Sequence, residues 1–200
     1  VGASMFANRR KNSSYLPDSD GLTNPIFYSR LANPYFTPYN EHGNYNYDID
    51  VENDVDMDFG FNPFEELKNT TNETTINGLS SIFDAELRFD DRFKFTTQLG
   101  LQLDKTSIEK IADEESFAMR KEKKNHRSNG VTYLPAGGFH KANENSLSQL
   151  TWKAMGEYRD TYNDIHEFEA MVGTEIRKTW EEKLYSAGYG FDRKTLTTKP

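Results

Sequence analysis

Apolar and polar residues alternate with a period of two along much of the chain. That is the pattern of a strand whose two faces meet different surroundings. It is clearest over residues 79–104. Leu79, Ser81, Phe83, Ala85, Leu87 and Phe89 fall on one face, with Ser80, Ile82, Asp84, Glu86 and Arg88 on the other. Asp90-Asp91-Arg92 makes a short polar turn. The alternation then resumes with Phe93, Phe95, Thr97, Leu99, Leu101 and Leu103 opposite Lys94, Thr96, Gln98, Gly100, Gln102 and Asp104. This predicts a long β-hairpin with one apolar and one charged side. A second hairpin is predicted over residues 148–181. Leu150, Trp152, Ala154, Gly156 and Tyr158 alternate with Thr151, Lys153, Met155, Glu157 and Arg159, and the turn falls near residues 160–164. On the return, Phe168, Ala170, Val172, Thr174, Ile176 and Trp180 oppose Glu167, Glu169, Glu175, Arg177, Thr179 and Glu181, while Lys178 interrupts the apolar row. Val1, Ala3, Met5 and Ala7 add a half strand at the start.

The predicted strands cover about 1–12, 78–89, 93–105, 147–159 and 165–183, which is long beside the ~5–6 residues of an ordinary soluble strand. Two connections are tight turns. The other two, about 13–75 and 106–145, far exceed the ~12–15 residues usual for a loop in a compact domain. Short turns therefore gather at one end of the sheet and long loops at the other, the rule for outer-membrane barrels. Aromatics stand near the strand ends, with Phe89, Phe93, Tyr158 and Phe168 by the turns and Trp152 and Trp180 toward the far side. Such girdles mark the two lipid interfaces. A soluble antiparallel sheet with one face on a core shares the alternation. The expected fold class is all-β: a segment of an antiparallel up-and-down transmembrane β-barrel, about five long strands with long extracellular loops. Because the smallest single-chain barrels have ~8 strands, and because Val1 begins in mid-strand and Thr197-Thr198-Lys199-Pro200 stops in a loop, the expectation is part of one larger barrel.

Composition changes this picture only by exclusion. Of 200 residues 35% are hydrophobic, mean hydropathy is -0.85, and no run approaches the ~20 apolar residues of a membrane helix. Phe (14), Tyr (11) and Trp (2) are too many for a disordered chain. The net charge of -8 disfavours a nucleic-acid backbone as partner. With no Cys, disulfides, thiolate metal sites and cysteine nucleophiles are excluded.

The first long loop is rich in aromatics. Tyr35, Phe36, Tyr39, Tyr45 and Tyr47 are the candidate ligand-binding residues, able to stack on sugar rings or on a partner protein, or to pack the loop on itself. His42-Gly43-Asn44 reads as a turn tip. Asp48, Asp50, Glu52, Asp54, Asp56 and Asp58 recur at every second position, and Asp48, Asp50, Asp54 and Asp56 are weak calcium candidates. The stretch lacks the glycine and final glutamate of a calcium-binding loop. Alternation on an extended chain would set the carboxylates in a line, a solvated acidic edge. In the second loop, Asp113-Glu114-Glu115 before Arg120-Lys121 suits a short helix, acidic at its start and basic at its end. Residues 130–138 read as an irregular tip. The paired glutamates Glu65-Glu66 and Glu114-Glu115 are not placed as a glycosidase needs them. The four histidines, His42, His126, His140 and His166, lack ligand spacing. No enzyme, cofactor or firm metal site is expected.

The run NPIFYSRLANPYFTPYNEHGNYNYD, the segment FNPFEELKNTTNETT and the hairpin LSSIFDAELRFDDRFKFTTQLGLQLD resemble the barrel of SusC/RagA-type TonB-dependent transporters. SQLTWKAMGEYRDTYNDIHEFEAMVGTEIRKTW and LYSAGYGFD resemble the strands that follow. The likeness covers nearly the whole chain. It is specific in the NPYF-x-PYN-x-x-G-x-Y loop and the FNPFEE segment, and generic in the strands. It implies a barrel of ~22 strands in the bacterial outer membrane that takes up an oligosaccharide or peptide. TonB and a SusD-like surface lipoprotein would be its partners, acting on the full-length protein. The plug domain and TonB-contacting segment of that family have no counterpart in these residues.

On this reading Phe83, Leu87, Phe95, Leu99, Leu101, Trp152, Val172 and Ile176 face lipid. Asp84, Glu86, Arg88, Lys94, Gln98, Gln102, Lys153, Glu157, Glu169 and Arg177 face an aqueous or plugged interior. The alternative is a soluble cell-surface β module that binds glycans or a partner protein, its apolar row packed on a second sheet.

Overall fold

The computed structural model describes residues 1–17, 21–51, 60–163 and 165–198. The protein is mostly antiparallel β. In chain order the elements are β1 (Gly2–Ser14), α1 (Pro25–Leu31), α2 (Pro63–Asn69), β2 (Thr70–Asp90), β3 (Phe93–Ala112), α3 (Phe117–Asn125), β4 (Arg127–Ser128), β5 (Val131–Thr132), β6 (Gly138–Tyr162), β7 (His166–Asp192) and β8 (Thr197–Thr198). Six strands form one sheet in the order β1-β2-β3-β6-β7-β8, and β4 pairs with β5. Each long strand thus lies beside its neighbour in sequence. None of the helices is long and apolar enough to cross a membrane.

The five long strands cover the five alternating stretches but run past them. Strand β2 begins at Thr70 rather than near 78, β3 continues to Ala112, β6 begins at Gly138, and β7 ends at Asp192. The added residues, such as Thr70-Thr71-Asn72-Glu73-Thr74-Thr75, are polar on both faces. They offer no apolar–polar contrast for a period to be read from, although their β-branched threonines suit a strand.

The chain divides into two compact units. The strand unit comprises Val1–Arg10, Thr75–Ser107 and Glu144–Lys183. It contains both short turns, the one after Asp90 and the one after Tyr162. Among its described residues no apolar side chain is buried.

The loop unit comprises Lys11–Thr74, Ile108–Asn143 and Leu184–Pro200, and so contains both long connections and all three helices. The buried apolar residues of the described chain are here, all but Phe191 in two clusters. Leu16, Ala112, Met119 and Phe139 form one. Leu22, Tyr28, Phe61 and Phe117 form the other. Phe61 sits edge-on between rings, 4.9 Å from Tyr28 and 5.2 Å from Phe117.

Local chemistry starts each helix. Asn24 and Asn62 cap α1 and α2 with their side-chain oxygens, and Pro25 and Pro63 follow at the first helical position. Asn62 also donates to the carbonyls of Pro38 (2.8 Å) and Asn46 (2.7 Å), which ties α2 to the aromatic loop. Ser116 caps α3, accepting from the Met119 N–H at 3.1 Å. No acidic residue lies in the first turn of α3, which departs from the expected placement. Instead Glu66, buried in the first turn of α2, accepts from the N–H groups of Phe117 (2.6 Å) and Ala118 (3.2 Å). The helix dipole is met by a carboxylate from a different element. The expected irregular tip is in part a hairpin. Asn129 (φ 50°) and Gly130 (φ 80°) both take positive φ between β4 and β5, as a two-residue turn of this kind requires.

Candidate functional site

The strand unit is two-sided to a degree that a soluble core does not require. On one face the polar residues pair with one another, both across strands and along them. Gln98 donates to Asp84 at 2.7 Å. Lys94 lies 3.9 Å from Glu86 and 3.5 Å from Glu157. Arg88 bonds Glu86 at 2.8 Å, Arg159 bonds Glu169 at 3.0 Å, and Glu175 meets both Lys153 (3.6 Å) and Arg177 (2.9 Å). Gln102 donates to Asp104 at 2.6 Å. Every residue expected on the interior side therefore has a polar partner, all of them drawn from the charged row. Each exposed pair is worth only ~0–1 kcal/mol, so the ladder sets the character of this face more than its stability. A cavity of about 400 Å³ opens on it, lined by Asp84, Glu86, Thr96, Gln98, Lys153 and Met155 among others.

The opposite face is apolar and uncovered. Phe83 is 45% exposed, Leu99 36% and Val172 76%. Leu87, Phe95, Leu101, Trp152 and Ile176 are exposed as well. Apolar surface in water costs about 25 cal/mol per Å², and continuous patches of this kind mark membrane or protein contacts. An apolar groove of about 330 Å³ crosses four strands near the turns, walled by Phe89, Phe93, Phe95, Tyr158 and Val172. Phe93 and Tyr158 have ring centroids 4.6 Å apart, and Phe168 continues the row 6.1 Å from Tyr158.

Two polar groups on this face have partners that suit it. The Trp152 indole N–H donates to the Thr97 hydroxyl at 3.0 Å, so no bare donor faces outward there. Lys178, the one charge in the apolar row of β7, holds its ammonium 4.9 Å from the centre of the Trp180 ring. A lysine lying over tryptophan suits the border of an apolar row, where the ammonium can reach water while its stem stays on apolar surface. From Phe168 to Trp180 a strand rises ~40 Å. Tilted at ~45°, that becomes ~28 Å, close to the ~25 Å apolar band of a membrane barrel.

In the loop unit, Tyr39, Tyr45 and Tyr47 are engaged. Tyr39 lies 5.4 Å from Tyr45 and 5.6 Å from Phe64, and residues 39 and 45 form a bridge around the Gly43 turn (φ 79°). Lys68 stands 5.9 Å from the Tyr45 ring. Tyr47 donates to Glu65 at 2.9 Å, with the Arg120 guanidinium 5.3 Å from its ring. Burial, and then the Glu65 carboxylate, pushes the Tyr47 hydroxyl above its ordinary range. Tyr35, at 91% exposure, projects freely, and Phe36 is half-buried.

Of the described members of the acidic row, Asp48 departs from the expected solvated edge. Asp48 is buried and accepts from the Tyr28 hydroxyl at 3.1 Å and from the Asp50 N–H at 3.2 Å. That second bond folds residues 48–50 into a local turn, so Asp48 points inward while Asp50 is exposed. The calcium candidates Asp54 and Asp56, with Glu52 and Asp58, lie outside the described residues. Among the described residues no group of three His, Asp or Glu side chains could hold a metal ion.

A second polar centre was not visible in the sequence. Glu122 of α3 accepts from Lys141 and from the Tyr189 hydroxyl, both at 2.7 Å. Burial alone would raise its pKa, but the hydrogen bonds from Lys141 and Tyr189 and the nearby positive charge outweigh that and hold the carboxyl below its ordinary range. A carboxylate whose pKa is depressed on folding stabilises the fold above its unfolded pKa of 4.5. It loses that contribution as pH falls through the folded value. Glu122→Gln is therefore expected to weaken the loop unit by about 1–3 kcal/mol at pH 7, with wild type and variant converging below the folded pKa. Amide exchange at Met119 and Arg120 against pH checks this.

No protein-family model matches the chain, and no curated protein matches it.

Proposed function

We propose that this chain is part of an outer-membrane β-barrel of the SusC/RagA-type importers, with the apolar face of its strand unit against lipid and the charged face toward the barrel lumen. The observation that carries the reading is that uncovered apolar face, opposite a face on which every expected interior residue is paired. In hydrocarbon every backbone polar group needs a partner, and a closed barrel of strands meets that need. Both long connections fall in one unit and both short turns in the other, which supports assigning the loop unit to the cell exterior. The cargo class is an oligosaccharide or peptide. A SusD-like lipoprotein would meet the loop unit, where Tyr35 is exposed, and TonB would act through the full-length protein. The sequence resemblance and the two-sided strands support this reading jointly.

Epitope tags test it. Gly130 lies at an exposed hairpin tip with open space around it, and Asp91 lies in a short turn. In intact cells making the full-length protein, a tag at Gly130 is expected to stain with antibody. A tag at Asp91 should stain only after permeabilisation. Deleting the gene is expected to abolish uptake of the oligosaccharide or peptide that the protein imports. Staining of both tags in intact cells would favour a soluble surface module.

A further inference from the structure

We propose that Asn129 is a site of spontaneous deamidation, converted to aspartate or isoaspartate at the tip of the β4–β5 hairpin, and that the sheet holds the chain's other Asn-Gly step unreactive. Asparagine is among the chemically labile residues. It is most so before glycine, whose missing Cβ leaves the next backbone nitrogen open to the carboxamide. The sequence has two such steps, Asn77-Gly78 and Asn129-Gly130. Both asparagines are exposed, so exposure does not separate them. Their backbone settings do.

The reaction needs only water. The backbone nitrogen of Gly130 attacks Cγ of Asn129. The N–Cγ bond forms, the Cγ–Nδ2 bond breaks, and the amide proton of Gly130 leaves with Nδ2 as ammonia. Water then opens the cyclic imide. Cleavage of the N–Cγ bond gives aspartate. Cleavage at the backbone carbonyl gives isoaspartate, with the chain now running through the side chain. Nothing is oxidised or reduced, and either product puts a carboxylate where a neutral amide stood.

At the tip this nitrogen can be reached. Asn129 and Gly130 are the two central residues of the turn, with Ser128 paired to Val131 across it. The bond that closes such a turn joins the flanking residues and leaves the second central N–H outside the ladder. A Cβ built on Gly130 meets nothing within 4 Å, so an imide ring has room. Strands β4 and β5 are two residues each and pair only with one another. So short a hairpin is marginal alone, and tips of this kind open at little free-energy cost.

Gly78 is placed in the opposite way. Strand β2 lies between β1 and β3 and is hydrogen-bonded to both, so the backbone N–H of Gly78 belongs to a ladder. Asn8 of β1 and Asp104 of β3 close over it. A Cβ on Gly78 would stand 2.5 Å from the Asn8 side-chain oxygen and 3.0 Å from an Asp104 oxygen. Freeing this nitrogen means parting long strands rather than fraying a tip. The chemistry is independent of which medium wets the strands.

The two products differ in consequence. Aspartate keeps the backbone and the hairpin. Isoaspartate adds a backbone carbon to a two-residue turn whose geometry fixes the register of its strands, so the β4–β5 pairing is expected to be lost in that form.

The test is timed incubation of the folded full chain in detergent micelles and warm neutral buffer, followed by digestion and mass spectrometry of the two Asn-Gly peptides. The Asn129 peptide is expected to gain the mass that separates an acid from an amide and to split into aspartyl and isoaspartyl forms. Conversion at Asn77 should be at least about tenfold slower. In urea sufficient to unfold the chain, the two steps should react at similar rates, which assigns the difference to the fold. Asn129→Gly, which accepts the positive φ of that position, should abolish the mass change there and leave circular dichroism unaltered. Equal rates at the two steps in the folded chain, or an Asn129 that converts in urea but not when folded, would each overturn the proposal.

Discussion

Leu99→Arg is expected to block membrane assembly of the full-length protein, while Gln98→Arg, one residue away, is expected to be tolerated. A one-residue step along a strand reverses the face a side chain takes. Leu99 lies in the exposed apolar row, and Gln98 on the charged face, bonded to Asp84. An arginine facing lipid near mid-bilayer costs ~2–4 kcal/mol, and near an interface much less. The same arginine at position 98 would stand beside Asp84 and Glu86, which offer it counter-charge. Folding in lipid vesicles, followed by the heat-dependent electrophoretic shift of the full-length protein, separates the two variants. Equal assembly would remove the assignment of faces.

The second large effect belongs to the loop unit. Phe61→Ala is expected to destabilise that unit by about 3–5 kcal/mol, the usual cost of removing a fully buried aromatic ring. Phe61 is almost wholly buried, with the rings of Tyr28 and Phe117 edge-on against it. Its backbone also pairs with Asp48 in both directions at 2.9 Å. The Tyr28 hydroxyl, raised well above its ordinary range by burial and then by Asp48, stays protonated and keeps its bond to that carboxylate. Losing the ring should therefore loosen the Tyr28–Asp48 contact as well as the packing. Amide exchange reads this locally: protection at Asp48, Phe61 and Ala118 should fall, while amides of Phe83 and Leu99 hold theirs. Loss of protection at all five positions together would show that the two units unfold as one.

How much of this was legible in the sequence depends on contrast. Residues 79–104 declared their faces because mostly apolar and mostly polar rows alternate on both sides of the turn at 90–92. Residues 70–75 belong to the same strand but are polar throughout, so nothing distinguished one face from the other. The helices α1 and α2 were signalled by Asn24-Pro25 and Asn62-Pro63, a capping asparagine followed by proline. Both pairs fall within the predicted loop of about 13–75, where a strand-length period has nothing to say about helix starts. The turn at Asn129-Gly130 was equally explicit and was absorbed into an irregular tip.

The sites were harder for a different reason. Glu66 looked like half of an idle acidic pair, because its role is to accept from N–H groups 51 and 52 residues away. Asp48 looked solvated because a regular alternation implies an extended chain, and one side-chain bond to Asp50 ends that regularity. Glu122, Lys141 and Tyr189 come from three separate elements and carry no shared motif. The aromatic loop fared between these extremes. Its turn at Gly43 was readable, but the choice between Tyr35, left exposed, and Tyr47, drawn onto Glu65, is made by tertiary contacts. The alternation itself does not say which medium wets the apolar row, since a soluble sheet uses the same period.

Depth-dependent quenching in lipid addresses that point most directly. The chain has no cysteine, so single cysteines at positions 98, 99, 101 and 102 of the full-length protein can each carry one fluorophore. In vesicles of lipids brominated along their acyl chains, positions 99 and 101 are expected to be strongly quenched and accessible to no aqueous quencher. Positions 98 and 102 should be spared by bromine and reached by iodide. Bromine quenching that is equal at all four positions, or absent at 99 and 101, would contradict a lipid-facing apolar row.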